Sequence, residues 1–126
     1  MVSFSSEPIE TGRVYELIGK EAAGSVLFHY AVAKPMGTKD GTTTYITYES
    51  NGDVESNLAE IAADMMEHWN LTDVLLFRRK GKVAVGEIIS LVAASSPASE
   101  DAFAACRHGL ARLKKMPTIK KTEVYE

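Results

Sequence analysis

LTDVLLFRRKGKVAVGEIISLVAASSPASEDAFAACRHGLARLKK, residues 71–115, is the stretch in which a strand pattern gives way to a helical one. Two apolar runs, residues 71–78 and 87–94, predict strands. Residues 79–86 separate these runs with Arg, Lys and Gly, which indicates an irregular connection. The first half of the stretch therefore predicts two strands that flank a connection.

A helix is predicted in the second half of the same stretch. Ser96 is a suitable N-cap, and Pro97 fits the first helical position, where proline sacrifices no hydrogen bond. Apolar residues then recur at helical spacing: Phe103, Cys106, Leu110 and Leu113. Pro117 is expected to stop this helix soon after Lys115, because proline cannot continue the helical hydrogen bonds.

The residues before this stretch carry helix, strand and loop signals in turn. Residues 12–20 predict a short helix, with Gly24 as a plausible C-cap glycine. Residues 25–33 are rich in β-forming side chains and predict a buried strand. The turn formers of 34–41 predict a loop, and residues 42–49, in which Thr and Tyr alternate with other residues, predict a further strand.

Residues 54–69 have the strongest periodicity of the chain. Apolar side chains recur at steps of four, three, four and four residues: Val54, Leu58, Ile61, Met65 and Trp69. This spacing predicts a second helix with one buried face, while residues 118–125 are expected to be extended. The complete pattern predicts an α+β fold, in which a mixed antiparallel sheet packs with about three helices.

The composition indicates an ordinary globular protein. With 126 residues, 45% of them apolar and 25% charged, the chain is expected to form a single domain over residues 1–126. Its only cysteine, Cys106, has no disulfide partner, and the first residues have neither a basic start nor an apolar core of a signal peptide. No apolar run approaches the ~18 to 20 residues that a spanning helix needs. We expect a cytoplasmic protein that does not associate with membranes.

Positive charge is concentrated near the C-terminus. The net charge is −3, yet residues 102–121 carry +6 and contain no acid, which leaves −9 for the rest of the chain. The cations of this segment are Arg107, Arg112, Lys114, Lys115, Lys120 and Lys121. Nucleic-acid-binding domains are usually basic as a whole, so the segment fits a local anion site better. A nucleic-acid-binding module is the weaker alternative.

The sequence contains no phosphate-binding glycine loop, no dinucleotide fingerprint and no zinc-protease helix. Its three histidines, His29, His68 and His108, are scattered and match no recognised spacing of metal ligands. We therefore expect neither a metal nor a cofactor.

Lys114 has a special position on the predicted third helix. At ~100° per residue it lies about 20° from Phe103 and about 40° from Leu110, at the border of the predicted buried stripe. Arg107 lies on the same line, seven residues earlier. Desolvation and a neighbouring cation both disfavour an ammonium group, which would make Lys114 usable as a base or nucleophile. The alternative is that its methylene groups pack while its charge reaches water.

Two further lysines, Lys120 and Lys121, follow the proline that stops this helix. The chain can turn back there and bring one of them near Lys114. Neighbouring residues of an extended segment point to opposite sides, so one of the two lysines could complete an anion site with Lys114. A solvated basic tail is the alternative.

Five segments of the C-terminal half occur in the order and spacing of a known family. They are RKGKVAVGE (79–87), SSP (95–97), AFAACR (102–107), LK (113–114) and KKTEVY (120–125). Residues 24–34, the Tyr48-Glu49 pair and the helix containing Leu58, Ile61 and Ala62 fall in register upstream. On these segments the chain resembles the large, catalytic subunit of molybdopterin synthase over nearly its whole length.

The resemblance implies an α/β hammerhead-like fold and a homodimer, in which each protomer binds a small ubiquitin-like sulfur-carrier subunit to give a heterotetramer. The C-terminal Gly-Gly thiocarboxylate of the carrier would enter a pocket of the large subunit. Sulfur would then be transferred to cyclic pyranopterin monophosphate, a step of molybdenum cofactor biosynthesis. The resemblance thus implies a sulfurtransferase.

The resemblance also implies roles for individual cations. By motif, the two lysines that serve the reaction in the family correspond here to Lys114 and Lys120, which favours the acid/base or acyl-accepting role of Lys114. The remaining cations are expected to bind the substrate phosphate or the tail of the partner: Lys34, Arg79, Arg107 and Lys121.

Several residues depart from the family pattern around the same pocket. Ala98 and Ser99 stand where the family usually has a His-Arg pair, Lys34 stands in place of an arginine, and Ile119 in place of a tryptophan. These departures motivate a hypothesis of another class, a non-catalytic relative that keeps the dimer and the small-subunit surface without turnover.

Overall fold

The computed structural model describes residues 1–35 and 43–125. Within these residues the chain forms seven strands and three helices. In chain order they are β1 (Val2–Ser5), α1 (Thr11–Leu17), β2 (Ser25–Val32), β3 (Thr43–Ser50), α2 (Val54–His68), β4 (Asp73–Arg79), β5 (Gly81–Ala84), β6 (Ile88–Ser96), α3 (Ser99–Leu113) and β7 (Ile119–Tyr125). The predicted α+β class with three helices is confirmed, and the strands are divided between two sheets.

The larger sheet has the strand order β1-β4-β6-β2. β1 runs parallel to β4, whereas β6 is antiparallel to both β4 and β2. The side chains of β4 alternate between two cores, because Val74 and Leu76 pack with α2 and α3, and Leu75 packs on the other face with Val14 of α1. The same alternation assigns Arg78 to the face that carries α3.

Helix α2 has the single buried face that its periodicity predicts, and the buried residues are Val54, Leu58, Ile61 and Met65. The helix begins after Asp53, whose carboxylate accepts a hydrogen bond from the backbone N–H of Ser56 at 3.0 Å. Gly109 of α3 lies against α2, so that a Cβ atom at this position would be only 2.7 Å from Sδ of Met65. The absence of a side chain at position 109 therefore sets the depth at which α3 packs.

The smaller sheet has the strand order β5-β3-β7, and both of its strand pairs are antiparallel. In the pairing of β3 with β7, Ile46 is opposite Glu123 and Tyr48 is opposite Lys121. Residues that are opposite each other in adjacent strands project to the same side of a sheet. The chain that follows α3 thus returns with Lys121 on the side of the buried Tyr48. The inward core of this sheet consists of Ala33, Ile46, Tyr48 and Val83.

The predicted start of the third helix is wrong, because Ser96 is the last residue of β6 and the N-cap of α3 is Ala98. The Ser96 hydroxyl is fully buried and donates to the carbonyl of Asn70 at 2.7 Å. It also accepts a hydrogen bond from the N–H of Ala98 at 3.1 Å. Strand pairing of Ser96 with Ser25 of β2 prolongs the sheet to this point and delays the helix.

Two short strands are not predicted by the sequence pattern. β5 lies inside the connection 79–86, and β1 pairs with β4 at the edge of the larger sheet. The first helix is also shorter than predicted, because its C-cap is Ile18 and not Gly24. Part of the predicted loop and the first residue of the following strand, residues 36–42, lie outside the described residues.

Candidate active site

A cavity of about 340 Å³ opens between the two sheets, beside the C-terminal end of α3. Ile46 and Tyr48 of β3 line it, together with Leu110 and Leu113 of α3. Four basic residues line the same space: Lys34, Arg78, Lys114 and Lys121. Largely apolar walls with several converging cations are suited to an organic anion.

Lys114 lines the cavity because α3 ends beside it. This residue is the C-cap of the helix, and its N–H donates to the carbonyl of Leu110 at 3.1 Å. Pro117 prevents the helix from continuing past this point. The Lys114 side chain is exposed, so its ammonium group can meet both solvent and a ligand in the cavity.

The helix α3 is oriented differently from the prediction. Phe103 is 56% exposed and Arg107 is exposed as well, so the expected buried stripe through Phe103 is wrong. The buried face consists instead of Ala102, Ala105, Cys106, Gly109 and Leu113. Small residues let α3 approach α2 and the sheet closely, and they turn the bulky Phe103 outward. Lys114 reaches its cavity at the helix end, not along a buried stripe.

Lys121 is the lysine of the Lys120-Lys121 pair that lines the cavity, together with Ile119 two residues before it. Lys120 is opposite Glu49 in the β3–β7 pairing, on the other side of the sheet. The Lys121 ammonium lies 3.5 Å from Oε1 of Glu123, whose side chain is only 16% exposed. Lys121 therefore has a neighbouring carboxylate as an ion-pair partner.

Arg78 is a cavity residue that the sequence analysis missed. Its Nη1 donates to the carbonyl of Leu113 at 3.1 Å, and its guanidinium lies 5.2 Å from the centre of the Tyr48 ring. Burial lowers the pKa of Arg78 from its ordinary value and raises the pKa of Tyr48, an effect that the nearby Arg78 charge opposes. The alternation of Val74, Leu76 and Arg78 along β4 is the signal that could have found it.

The six predicted site residues fall into two groups. Lys34, Lys114 and Lys121 line the cavity, and Arg79, Arg107 and Lys120 do not. Arg79 is buried, where its Nη1 donates to Oε2 of Glu87 at 3.4 Å and its Nη2 to the carbonyl of Lys82 at 3.5 Å. Glu87 in turn accepts a hydrogen bond from the N–H of Ala84 at 2.8 Å. Arg79 and Glu87 thus hold the turn between β5 and β6.

The only cysteine is not equipped for sulfur chemistry of its own. Cys106 is buried, and burial raises the pKa of its thiol to about 11. A thiol with such a pKa is protonated near neutral pH and is a poor nucleophile. Cys106 also does not line the cavity, so the structure does not support it as a sulfur nucleophile there.

No group of three or more His, Cys, Asp and Glu side chains is placed to hold a metal ion within residues 1–35 and 43–125. In the same residues, no helix combines the length and the apolar character needed to cross a membrane.

Known proteins resemble this chain in sequence and in structure. The family described as MoaE protein matches residues 4–116. The molybdopterin synthase catalytic subunit of Staphylococcus aureus (strain COL) is 31% identical over 122 residues, which span 96% of this chain and 82% of that protein. The corresponding subunit of Staphylococcus carnosus (strain TM300) is 30% identical over 122 residues, 96% of this chain and 81% of that protein.

The fold of this chain is also similar to that of solved structures. The crystal structure of molybdopterin synthase from Staphylococcus aureus matches with a TM-score of 0.88 and 31% identity, over 98% of this chain and 90% of the other. A complex of subunits 1 and 2 of molybdopterin-converting factor from Helicobacter pylori matches with a TM-score of 0.77 over 99% of this chain and 85% of the other. That match has 10% identity and concerns the fold alone. The chain belongs to the MoaE protein family, whose matched curated relatives are catalytic subunits of molybdopterin synthase.

Proposed function

We propose that this chain transfers sulfur from the thiocarboxylated C-terminus of a small ubiquitin-like carrier subunit to cyclic pyranopterin monophosphate, as the catalytic subunit of a molybdopterin synthase. The observation that carries this proposal is the cavity between the two sheets, in which Lys34, Arg78, Lys114 and Lys121 converge. Both reactants are anions, one with a phosphate and one with a thiocarboxylate, and the cavity offers cations to both.

Lys114 is the principal reactive group in this proposal. When sulfur forms its bond to the pterin, its bond to the acyl carbon of the carrier must break, and that carbon must be accepted by water or by an amine. An exposed amine at the cavity, as on Lys114, can accept the acyl group or move the proton of a water molecule.

The assisting lysine is better placed at position 121 than at position 120. The family motif assigns this role to Lys120, but the position of Lys121 on the cavity side of β7 supports Lys121. Lys34 is proposed to bind the phosphate or the carrier tail as a second exposed cation. Binding roles for Arg79 and Arg107 stay predictions, and the contacts of Arg79 support a structural role for it.

The proposal covers residues 1–126 as one domain, because both sheets contribute walls to the cavity and neither sheet encloses it alone. It includes a homodimer that binds two small subunits and acts in the cytoplasm. The solved Helicobacter pylori complex of subunits 1 and 2 supports a two-subunit assembly of this kind. The non-catalytic alternative is not favoured, since the curated relatives are catalytic subunits.

Reconstitution tests the proposed function. The purified chain, the thiocarboxylated small subunit and cyclic pyranopterin monophosphate are combined, and molybdopterin is measured, with the Staphylococcus aureus catalytic subunit as the positive control. Molybdopterin is the expected product. Binding of the small subunit in calorimetry without any product would favour the non-catalytic alternative, and the absence of both binding and product would reject the two hypotheses together.

A further inference from the structure

Arg78 differs from the other cations of the cavity in its surroundings. Its hydrogen bond to the Leu113 carbonyl uses Nη1, and its Nε is inaccessible to solvent and has no hydrogen-bond partner among the described residues. Within residues 1–35 and 43–125, no carboxylate forms an ion pair with it, whereas Lys121 has Glu123. Lys34 and Lys114 are exposed, so water hydrates and screens their charges. Arg78 therefore carries a partly desolvated charge that has no carboxylate within ion-pair distance among the described residues.

The neighbouring arginine shows what a structural arginine looks like in this fold. Arg79 follows Arg78 directly but points to the opposite face of β4. Its Nε is likewise buried without a hydrogen-bond partner among the described residues, but its Nη1 pairs with Glu87 at 3.4 Å and its Nη2 bonds to the Lys82 carbonyl. Arg112, on α3, likewise has a carboxylate, Asp64, at 3.0 Å. Each of these arginines has an acid within the protein, which is the usual arrangement for a buried or half-buried charge.

The ring of Tyr48 fixes the position of the Arg78 guanidinium. The 5.2 Å separation between the guanidinium carbon and the ring centre is within the range of a cation–π contact. Tyr48 is only 3% exposed and is held by β3 between β5 and β7. A guanidinium that is fixed on an aromatic ring and on a backbone carbonyl loses little further freedom when it binds a ligand. It is preorganised, and its remaining donors are unused by the described residues.

We propose that Arg78, held by Tyr48 and the Leu113 carbonyl, is the oxyanion-binding residue in the interior of the cavity, where a ligand oxyanion supplies its missing counter-charge. The inference rests on the proposed function, because that function brings two oxyanions to this space: the phosphate of the pterin and the carboxylate-like end of the carrier tail. Lys114 and Lys121 line the same cavity and can contact the rest of such a ligand.

The test measures anion binding apart from turnover. Thermal unfolding of the full chain is followed while inorganic phosphate, as the probe for the pterin phosphate, or glycylglycine, as the probe for the carrier tail, is titrated at constant ionic strength. A ligand that binds only the folded protein raises its unfolding temperature, and the rise at a given ligand concentration is larger for a tighter ligand. The proteins compared are the wild type, Arg78→Met, Arg78→Lys and the exposed control Arg13→Met.

The wild type and Arg13→Met are expected to be stabilised by at least one of the two probes. Arg78→Met is expected to weaken that binding at least about tenfold, since a charge-assisted hydrogen bond is lost. It is also expected to unfold no earlier than the wild type in the absence of anions, because it removes a charge that lacks an acid partner. The probe that loses affinity identifies which oxyanion Arg78 binds.

Unchanged affinity of Arg78→Met for both probes would overturn the inference. Destabilisation of Arg78→Met with unchanged anion binding would also overturn the inference. That result is expected for an arginine whose only role is to hydrogen-bond the Leu113 carbonyl. If Arg78→Met does not fold, Arg78→Lys is the variant that tests the inference. It keeps the charge but loses the planar set of donors, and the inference requires it to bind the probe more weakly than the wild type. If the wild type binds a probe through Arg78 but forms no molybdopterin in the reconstitution, the proposed function is rejected while the inference about Arg78 stands.

Discussion

Tyr48 and Lys121 are opposite each other in the antiparallel pairing of β3 with β7, and both line the cavity between the two sheets. Cross-strand partners share one side of a sheet, so the burial of Tyr48 fixes the side on which Lys121 lies. A shift of the register by one residue would put Lys120 at the cavity and Lys121 outside it. The choice between two adjacent lysines is thus made by strand pairing with a segment about seventy residues earlier in the chain.

This register predicts different effects for the two lysines. Lys121→Ala is expected to lower the rate of molybdopterin formation at least about tenfold, since it removes a charge-assisted contact in the cavity. Lys120→Ala, the matched control on the other side of β7, is expected to stay within about twofold of the wild type. The two rates are compared in a reconstituted assay at saturating small subunit. A larger loss in Lys120→Ala than in Lys121→Ala would contradict the assignment from register.

A cluster on α2 and α3, away from the cavity, predicts a pH dependence of stability. Asp64 accepts a hydrogen bond from His108 and lies 3.0 Å from both Arg112 and His68. The hydrogen bond from His108 is the main cause that lowers the pKa of Asp64 below 3.8. The Asp64 backbone carbonyl, followed by the Asp64 charge, raises the pKa of His68 above 6.5.

The two shifts have opposite consequences as the pH changes. A lowered carboxyl pKa gives stability that is present above pH 3.8 and lost as the pH falls through the lowered value. A raised imidazole pKa gives stability that is present below pH 6.5 and lost as the pH rises through the raised value. The cluster is therefore expected to contribute most between these two limits.

Urea unfolding of the wild type and Asp64→Asn at several pH values checks this expectation. The difference in unfolding free energy between the two proteins should be larger near pH 5.5 than near pH 8.5, because the stability that a raised His68 pKa gives is lost as the pH rises through that pKa. Glu60→Gln, an exposed change on the same helix, is the control and should show no such difference. A constant effect of Asp64→Asn across this range would show that the cluster is not coupled to the ionisation of His68.

The start of α2 provides a prediction about stability alone. Asp53→Ala removes the side chain that accepts the Ser56 N–H at 3.0 Å, and it is expected to lower the unfolding free energy by about 1 kcal/mol. Asp53→Asn keeps an acceptor at the same position and is expected to be nearly neutral. Both are measured by urea unfolding near pH 7. Equal destabilisation by the two changes would indicate that charge, not the hydrogen bond, is what Asp53 contributes.

Local patterns in the sequence predicted the parts of this fold that depend on local periodicity. The stripe from Val54 to Met65 predicts α2 because one long face is buried against one core. β5 escaped prediction because it has four residues, of which Val83 alone is buried, and because its partner β3 is distant in sequence. The helix α3 was predicted, but small residues such as Gly109 turned its buried face away from Phe103.

The candidate site was predicted only in part, since Lys34, Lys114 and Lys121 line the cavity and the other three expected residues do not. Lys114 was selected because the helical wheel placed it beside Phe103 on an expected buried stripe, which is wrong, and because the family resemblance assigns it a role. It lines the cavity because α3 ends there. The selection of Lys121 over Lys120 needs the register of β7, which no local pattern contains. Arg78 was overlooked in favour of Arg79, although the alternation of β4 places Arg78 on the side of α3. A charged residue at the end of an apolar strand has to be assigned to a face before it is assigned a role.

Single-turnover transfer of sulfur by Lys114→Ala tests the central claim, that the cavity at the end of α3 is where sulfur transfer takes place. The variant and the control Lys115→Ala, whose exposed lysine follows directly but does not line the cavity, are mixed with thiocarboxylated small subunit and cyclic pyranopterin monophosphate, and molybdopterin is measured over time. We expect Lys114→Ala to react about 10²- to 10⁴-fold more slowly than the wild type, as for the loss of an acid/base or nucleophilic group, and Lys115→Ala to react at the wild-type rate. Equal rates for Lys114→Ala and the wild type would contradict the account.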